Sequence, residues 1–161
     1  MTETIHGLKA ALADARSYLD HVLELAESRQ DEQVYGDGLQ WNVRQVAVHI
    51  ADADKGHNSQ VMAFAEGREI IPPDFDIERY NKRTTEKRAD VTFSEARTAL
   101  SESRAALNAW LDTLQEADLD KVGRHASLRM LTIREVLKHM ASHERQHADD
   151  IAAALHLKNL R

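Results

Sequence analysis

Apolar residues recur every three to four positions along four long segments of the chain. That spacing places the apolar side chains on one face of an α-helix, so each segment predicts an amphipathic helix. The first helix is expected over residues 3–28, with one face packed against the rest of the chain. The apolar positions of that face are Leu8, Leu12, Ala15, Leu19, Val22 and Ala26.

Capping boxes indicate where the other three long helices begin. In this motif a polar N-cap residue and a Glu or Gln three positions later bond to each other's backbone N–H groups. The pairs are Asn42 with Gln45, Thr92 with Glu95, and Thr132 with Glu135. The helices that follow these pairs are expected to end near Glu66, Leu114 and His156.

The second and the last helix each carry a defined apolar stripe. Helix two is expected to bury Val43, Val46, Ile50, Ala53 and Phe64. The stripe of the last helix consists of Ile133, Val136, Leu137, Met140, His143, His147, Ile151 and Leu155. Histidines within such a stripe need polar partners, because burying an unpaired ring nitrogen is costly. A metal ion is one such partner, and a buried network of acidic side chains is another.

The connections between the helices are polar or contain the few glycines and prolines. Residues 30–40 and 67–75 predict loops, and residues 76–88 predict a short, charged helix. A loop that contains Gly123 follows the third long helix, and no segment predicts a strand. The expected fold class is therefore all-α: a four-helix bundle with a short extra helix in the connection between helices two and three.

Length, charge and cysteine content narrow the possible functions. A chain of 161 residues is typical of a single domain, here residues 1–161. The formal net charge is −6 without a basic cluster, so neither nucleic acid nor an anionic membrane is expected as a partner. The N-terminus lacks an apolar signal core and no apolar run approaches about 18 residues, which predicts a cytoplasmic protein. Because the chain has no cysteine, any thiol chemistry must use a thiol brought from outside.

A short internal repeat relates helix two to the last helix. The segment VRQV, followed by His49, matches the segment IREV, followed by His139. In the same register His57 corresponds to His147. Two capped helices with such similar patterns are compatible with a pseudo-two-fold axis.

Four histidines carry the strongest chemical signal of the sequence. His139, His143 and His147 follow one another in steps of four residues, and His49 lies far upstream. Histidines four residues apart project from one face of a helix, so two of their imidazoles can bind one metal ion. A nitrogen of His49 from a facing helix would complete the three protein ligands of a catalytic zinc site, whose fourth position stays open.

Helical phase favours one pair of the three C-terminal histidines. His139 lies about a quarter turn or more from the centre of the apolar stripe, whereas His147 lies within it and His143 at its edge. His49 lies at the edge of the core, and Asp52 shares its side of the helix. Asp52 is a candidate to orient a ligand or a bound water, with a solvated surface acid as the alternative. The histidines expected to be merely exposed or hydrogen-bonded are His6, His21, His125 and His156.

The run from His143 to His147 also spells HExxH, the motif of zinc proteases. Asp150 and Ala153 occupy the next positions of the short metzincin motif, and too few residues follow for a ligand from a second helix. Glu144 turns about 100° from His143 and is expected to face solvent. A zinc hydrolase of this type is therefore a minor alternative.

Several segments resemble the DinB/YfiT-like superfamily of four-helix metalloproteins. They are WNVRQVAVHIADAD, IIPPDFDIERYNKR, GRHASLRMLTIREV and LTIREVLKHMASHERQHADDI, and together they cover most of the chain from Trp41 onward. The resemblance implies one divalent ion, zinc or nickel, held by His49, His143 and His147 with water completing the coordination. Related members include bacillithiol transferases and mycothiol-dependent maleylpyruvate isomerase.

Two functional hypotheses follow. In the first, the chain is a metal-dependent enzyme of the thiol S-transferase type, in which a metal-bound water or the thiolate of an external low-molecular-weight thiol attacks a small electrophile. In the second, the bundle is a non-catalytic, stress-related protein whose structural ion has a fourth protein ligand, His139 or Asp52. The first hypothesis expects a small-molecule substrate. The resemblance and the amphipathic first helix further suggest a homodimer.

Overall fold

The architecture is a bundle of four long helices. A computed structural model describes residues 2–160 of the chain. The long helices are α1 (Ile5–Ala26), α2 (Val43–Ala65), α4 (Phe93–Leu111) and α5 (Ile133–Ala154), and the short helix α3 (Ile77–Lys87) lies in the connection between α2 and α4. The predicted fold class, an all-α four-helix bundle with one short extra helix, is confirmed. Among residues 2–160, no helix has the length and apolar character needed to cross a membrane.

The predicted helix starts are confirmed in detail. Asn42, Thr92 and Thr132 are N-caps, and each forms the reciprocal bonds of a capping box. The predicted ends of α1, α4 and α5 are two or three residues too late. Helix α4 ends at Leu111 rather than near residue 114, because residues 112 and 113 form a turn that bonds back to α4.

The expectation that the chain contains no strand is wrong. The strands β1 (Val122–Arg124) and β2 (Met130–Thr132) form an antiparallel hairpin directly before α5, with Gly123 opposite Leu131. Strands of three residues are too short to show a period of two, so the pattern of apolar residues could not reveal them. Gly123 allows the hairpin to approach α2: a Cβ atom at this position would lie only 2.1 Å from Cδ1 of Phe64.

Two apolar clusters fill the bundle, one toward each end. The first joins the C-terminal half of α1 to the N-terminal halves of α2 and α4 and the end of α5. The second joins the opposite ends of the same helices. The buried stripe of α5 differs from the prediction, since Glu144 and Ala148 are its buried members between Met140 and Ile151. His143 and His147 are only partly buried, and so is Ala53 of α2.

A layer of buried charge separates the two apolar clusters. Each long helix contributes one residue to it: Arg16 of α1, Asp54 of α2, Arg104 of α4 and Glu144 of α5. Arg16 Nη2 lies 2.6 Å from Glu144 Oε1 and 3.5 Å from Asp54 Oδ2. Arg104 Nη2 lies 3.2 Å from Asp54 Oδ1 and also pairs with Glu144. The expectation that Glu144 faces solvent is wrong, because its exposed fraction is 2% and both arginines bind its carboxylate.

We expect Glu144→Gln to destabilise the fold strongly. The substitution removes one anion from the layer and leaves two buried guanidinium groups with a single carboxylate, a loss of about 3–5 kcal/mol for a broken buried ion pair. Urea denaturation measures the free energy of unfolding. The matched control is Glu102→Gln, which changes an exposed glutamate of α4 and should stay within about 0.5 kcal/mol of the wild type. Equal stability of the two variants would contradict the structural role of Glu144.

Candidate metal centre

Three of the predicted ligands converge at one point between α2 and α5. The Nε2 atom of His143 lies 3.2 Å from Nε2 of His49 and 3.0 Å from Nε2 of His147. One ligand atom from each of the three residues lies within 4.8 Å of the other two. Nitrogens at a zinc–nitrogen distance of about 2.0–2.1 Å in a tetrahedron are about 3.3 Å apart. The spacing of these three imidazoles therefore fits a single divalent ion of the zinc type.

A hydrogen-bonded chain orients the ring of His147. The hydroxyl of Tyr35 donates to Oδ2 of Asp150 at 2.7 Å, and its oxygen lies 2.6 Å from Nδ1 of His147. Since the hydroxyl proton goes to Asp150, the Tyr35 oxygen accepts the Nδ1–H of His147. That tautomer leaves a lone pair on Nε2, the atom that faces His143, as a metal ligand requires. No sequence pattern indicates this role of Tyr35, which lies in the loop before α2.

Burial keeps the three imidazoles neutral. Removal of the rings from water lowers the pKa of His49 to about 3, of His143 to about 2 and of His147 to about 4. At neutral pH their nitrogens are thus free to bind a cation rather than a proton. The ring of Trp41 lies 4.5 Å from that of His49 and covers it, while Nε1 of Trp41 donates to Thr85 Oγ1 of α3. Helix α3 thereby helps to shield the site.

A second group of three histidines lies beside the first. His57 of α2, His125 of the hairpin and His139 of α5 also bring one ligand atom each within 4.8 Å of the others. His139 is therefore not an isolated surface residue, and it does not belong to the first group either. His125, expected to be an ordinary exposed or hydrogen-bonded residue, is in fact buried with 3% exposure, although it does contact Ser127. Sequence reasoning missed this group, because the hairpin that carries His125 was missed.

Members of both groups of histidines line one cavity of ≈ 520 Å³. Its size suits a small molecule. His49 and His143 lie on its wall, and α3 contributes Tyr80 and Asn81. Asp52, the candidate to orient a ligand or a bound water, also lines the cavity and does not belong to the group of His49, His143 and His147.

The carboxylate of Asp52 is incompletely paired. Its Oδ2 atom is buried and accepts no hydrogen bond, although Nε of Arg88 lies 3.3 Å away as an ion-pair partner. Burial raises the pKa of Asp52, and the positive charge of Arg88 opposes that shift. A partly desolvated carboxylate at the cavity wall can accept a proton or orient a bound group.

The glutamate of the HExxH motif does not occupy the position that a zinc protease requires. A zinc protease needs its glutamate beside the metal as a general base. Glu144 instead binds Arg16 and Arg104 inside the bundle, so it is not free to take a proton from a bound water. The two histidines of the motif can act as ligands without the protease mechanism.

Comparisons with known proteins agree with the four-helix fold. The sequence profile described as the DinB superfamily matches residues 3–151. Among solved structures, YfiT from Bacillus subtilis has a similar fold, with a TM-score of 0.75 at 20% sequence identity over 96% of this chain and 89% of that protein. YfiT is described as a probable metal-dependent hydrolase with an unusual four-helix bundle topology. No curated protein matches the sequence.

Metal-free protein should lose stability as the pH falls below about 6.5. The buried histidines have pKa values below the ordinary 6.5 in the folded state, so below that pH the unfolded chain binds more protons than the folded one. Their contribution is complete above pH 6.5 and is lost progressively toward the folded pKa values near 2 to 4. Urea denaturation in the presence of a chelator, at steps from pH 7.5 to 5.5, measures the effect. We expect a smaller slope for His143→Ala, and equal stability across this range would contradict the prediction.

Proposed function

The chain belongs to the DinB superfamily, and from this premise we propose that it is a divalent-metal-dependent enzyme that joins an external low-molecular-weight thiol to a small electrophile. The metal ligands in this proposal are His49, His143 and His147. Zinc and nickel are the ions we favour, because both accept three imidazole nitrogens. The observation that carries the proposal is the convergence of three Nε2 atoms beside a cavity that can hold a small molecule, with His49 and His143 in the cavity wall.

The number of protein ligands supports a catalytic rather than a structural ion. Among residues 2–160, the group that converges with His49 contains three histidines and no fourth ligand. Neither His139 nor Asp52 belongs to it, although these were the two candidates to close a structural site. Three protein ligands leave a coordination position for a substrate or a water, whereas structural zinc sites use four.

The chemistry divides between the ion and the side chains of the cavity. A bound divalent ion supplies Lewis acidity, which lowers the pKa of a thiol or water that it holds. In the overall transfer, the thiol sulfur forms a bond to an electrophilic carbon, and the leaving group departs with its bonding electrons. The thiol proton must be accepted, and we assign that role to Asp52, a carboxylate at the cavity wall whose Oδ2 accepts no hydrogen bond and is paired with Arg88 at 3.3 Å. The chain's lack of cysteine supports a thiol that arrives as a substrate.

Hydrolysis is the second candidate. YfiT shares the fold and is described as a probable metal-dependent hydrolase. In this alternative a water takes the place of the thiol, with the same histidines holding the ion. The two candidates differ in whether product forms in the absence of thiol.

The test combines metal analysis with an activity screen. Zinc-loaded and nickel-loaded protein is mixed with chlorodinitrobenzene and a panel of low-molecular-weight thiols, and thioether and chloride are measured. We expect metal-dependent thioether formation with at least one thiol and a loss of activity after chelation. His147→Ala should lose one bound metal ion per chain and, with it, the activity. Asp52→Asn should keep the metal, while kcat falls about 10²-fold or more.

The matched control is His21→Ala, which changes an exposed histidine of α1 and should alter neither metal content nor rate. Product that forms equally well without thiol would favour hydrolysis. A full complement of metal in His147→Ala would refute the ligand assignment. Activity that is absent with every thiol, together with a large loss of thermal stability on chelation, would favour the structural ion.

A further inference from the structure

The second group of histidines has the geometry of a metal site of its own. Nε2 of His57 lies 2.9 Å from Nε2 of His125, and the two rings are parallel within 2°. The ring of His139 stands nearly perpendicular to both, with its centre 5.4 Å from that of His57 and 4.8 Å from that of His125. We propose that His57, His125 and His139 form a second binding site for a divalent cation of the zinc type.

One choice of tautomers for His57 and His125 requires a cation between the two rings. When the ring proton of His57 is on Nδ1, toward the backbone of Ala53 one turn earlier in α2, its Nε2 presents a lone pair toward His125. Nδ1 of His125 lies 2.8 Å from Oγ of Ser127. When Nδ1–H donates to that oxygen, Nε2 of His125 presents a lone pair as well. Two lone pairs at 2.9 Å repel each other unless a cation lies between them.

The opposite tautomer of His125 gives the competing arrangement. The backbone N–H of Ser127 lies 3.1 Å from Nδ1 and can donate to it. The ring proton of His125 then sits on Nε2 and forms an ordinary hydrogen bond to His57. Such a pair has no need of a third imidazole, yet His139 converges on it from α5. The presence of His139 therefore favours the cation over the hydrogen-bonded pair.

The internal repeat places the two sites in equivalent positions on α2 and α5. In the register of the repeat, His49 corresponds to His139 and His57 corresponds to His147. In the fold, His49 contacts His147 and His57 contacts His139, with ring centres 5.0 and 5.4 Å apart. Each cross-helix pair is thus the counterpart of the other. The third ligand differs, since His143 comes from α5 in the first site and the hairpin residue His125 serves in the second.

The shared cavity indicates what the second cation would bind. His57, His125 and His139 line the same cavity as His49 and His143. The ring of His143 is 6.2 Å from that of His57 and 5.9 Å from that of His139, so the two sites are neighbours. The positive charge of Arg129 acts on both His125 and His139. A cation beside Arg129 would hold an anionic oxygen ligand, such as the carboxylate of a substrate whose other end reaches the first site.

The stoichiometry of bound zinc tests this proposal. Full-length protein is freed of metal with a chelator, saturated with zinc chloride, desalted and measured by elemental analysis against protein concentration. We expect two zinc ions per chain in the wild type and one in His139→Ala. Because His139 is only partly buried, its truncation should leave the bundle folded, which circular dichroism checks. His57→Gln serves as the second variant and should also bind one ion.

Two further variants separate this proposal from the assignment of the first site. His147→Ala should lose one ion while the second site is retained, and the double variant with His139→Ala should bind none. His21→Ala is the control for binding to surface histidines and should keep both ions. One ion in the wild type, unchanged in His139→Ala, would overturn the proposal in favour of the hydrogen-bonded pair. Two ions that persist in His139→Ala and His57→Gln would place the second ion elsewhere and overturn it equally.

Discussion

The buried ion-pair layer is the constraint on which the rest of the structure depends. Four long helices meet at Arg16, Asp54, Arg104 and Glu144, and each helix supplies one member of the layer. A buried charge without its partner is far more costly than a buried apolar group out of place, so the layer admits few alternative arrangements. It therefore fixes both the rotation and the axial position of each helix, which apolar contacts alone specify less strictly.

The position of the histidines follows from that constraint. Glu144 directly follows His143, and Asp54 lies between His49 and His57 on α2. Once the two carboxylates point to the centre of the bundle, His143 lies about 100° away from Glu144 around its helix and His49 about 140° away from Asp54. His57 and His147, each three residues after a carboxylate, lie about 60° away from it. The facing surfaces of α2 and α5 can then present imidazoles at two neighbouring points. Helices α2 and α5 therefore contribute carboxylates to the charge layer and imidazoles to the candidate metal sites.

Much of the fold was predictable from the sequence, because its signals are local. A capping box is a motif of four residues that marks the start of a helix. All three predicted capping boxes, at Asn42, Thr92 and Thr132, are present. The convergence of His49 with the C-terminal histidines was also anticipated from helical phase. Glu144 was misjudged, because an acidic residue in a charged run gives no indication that two arginines from distant helices will bury it.

The other omissions have a similar cause. Tyr35 orients His147 from a loop, and a hydrogen bond between residues 112 positions apart leaves no pattern in the sequence. His125 lies on a hairpin whose strands are three residues long, below the length at which alternation can be seen. Sequence periodicity thus reports which helices form and which faces pack. It does not report the tertiary polar contacts that select among the remaining side chains.

Anomalous X-ray diffraction from crystals of the zinc-loaded protein, measured above and below the zinc absorption edge, locates the ion relative to its three histidine ligands. We expect an edge-dependent peak within bonding distance of the Nε2 atoms of His49, His143 and His147, on the side that faces the cavity. Crystals grown with excess zinc that show no such peak among these three nitrogens would contradict it. A zinc ion at that peak with a fourth protein side chain as a ligand would contradict the catalytic role.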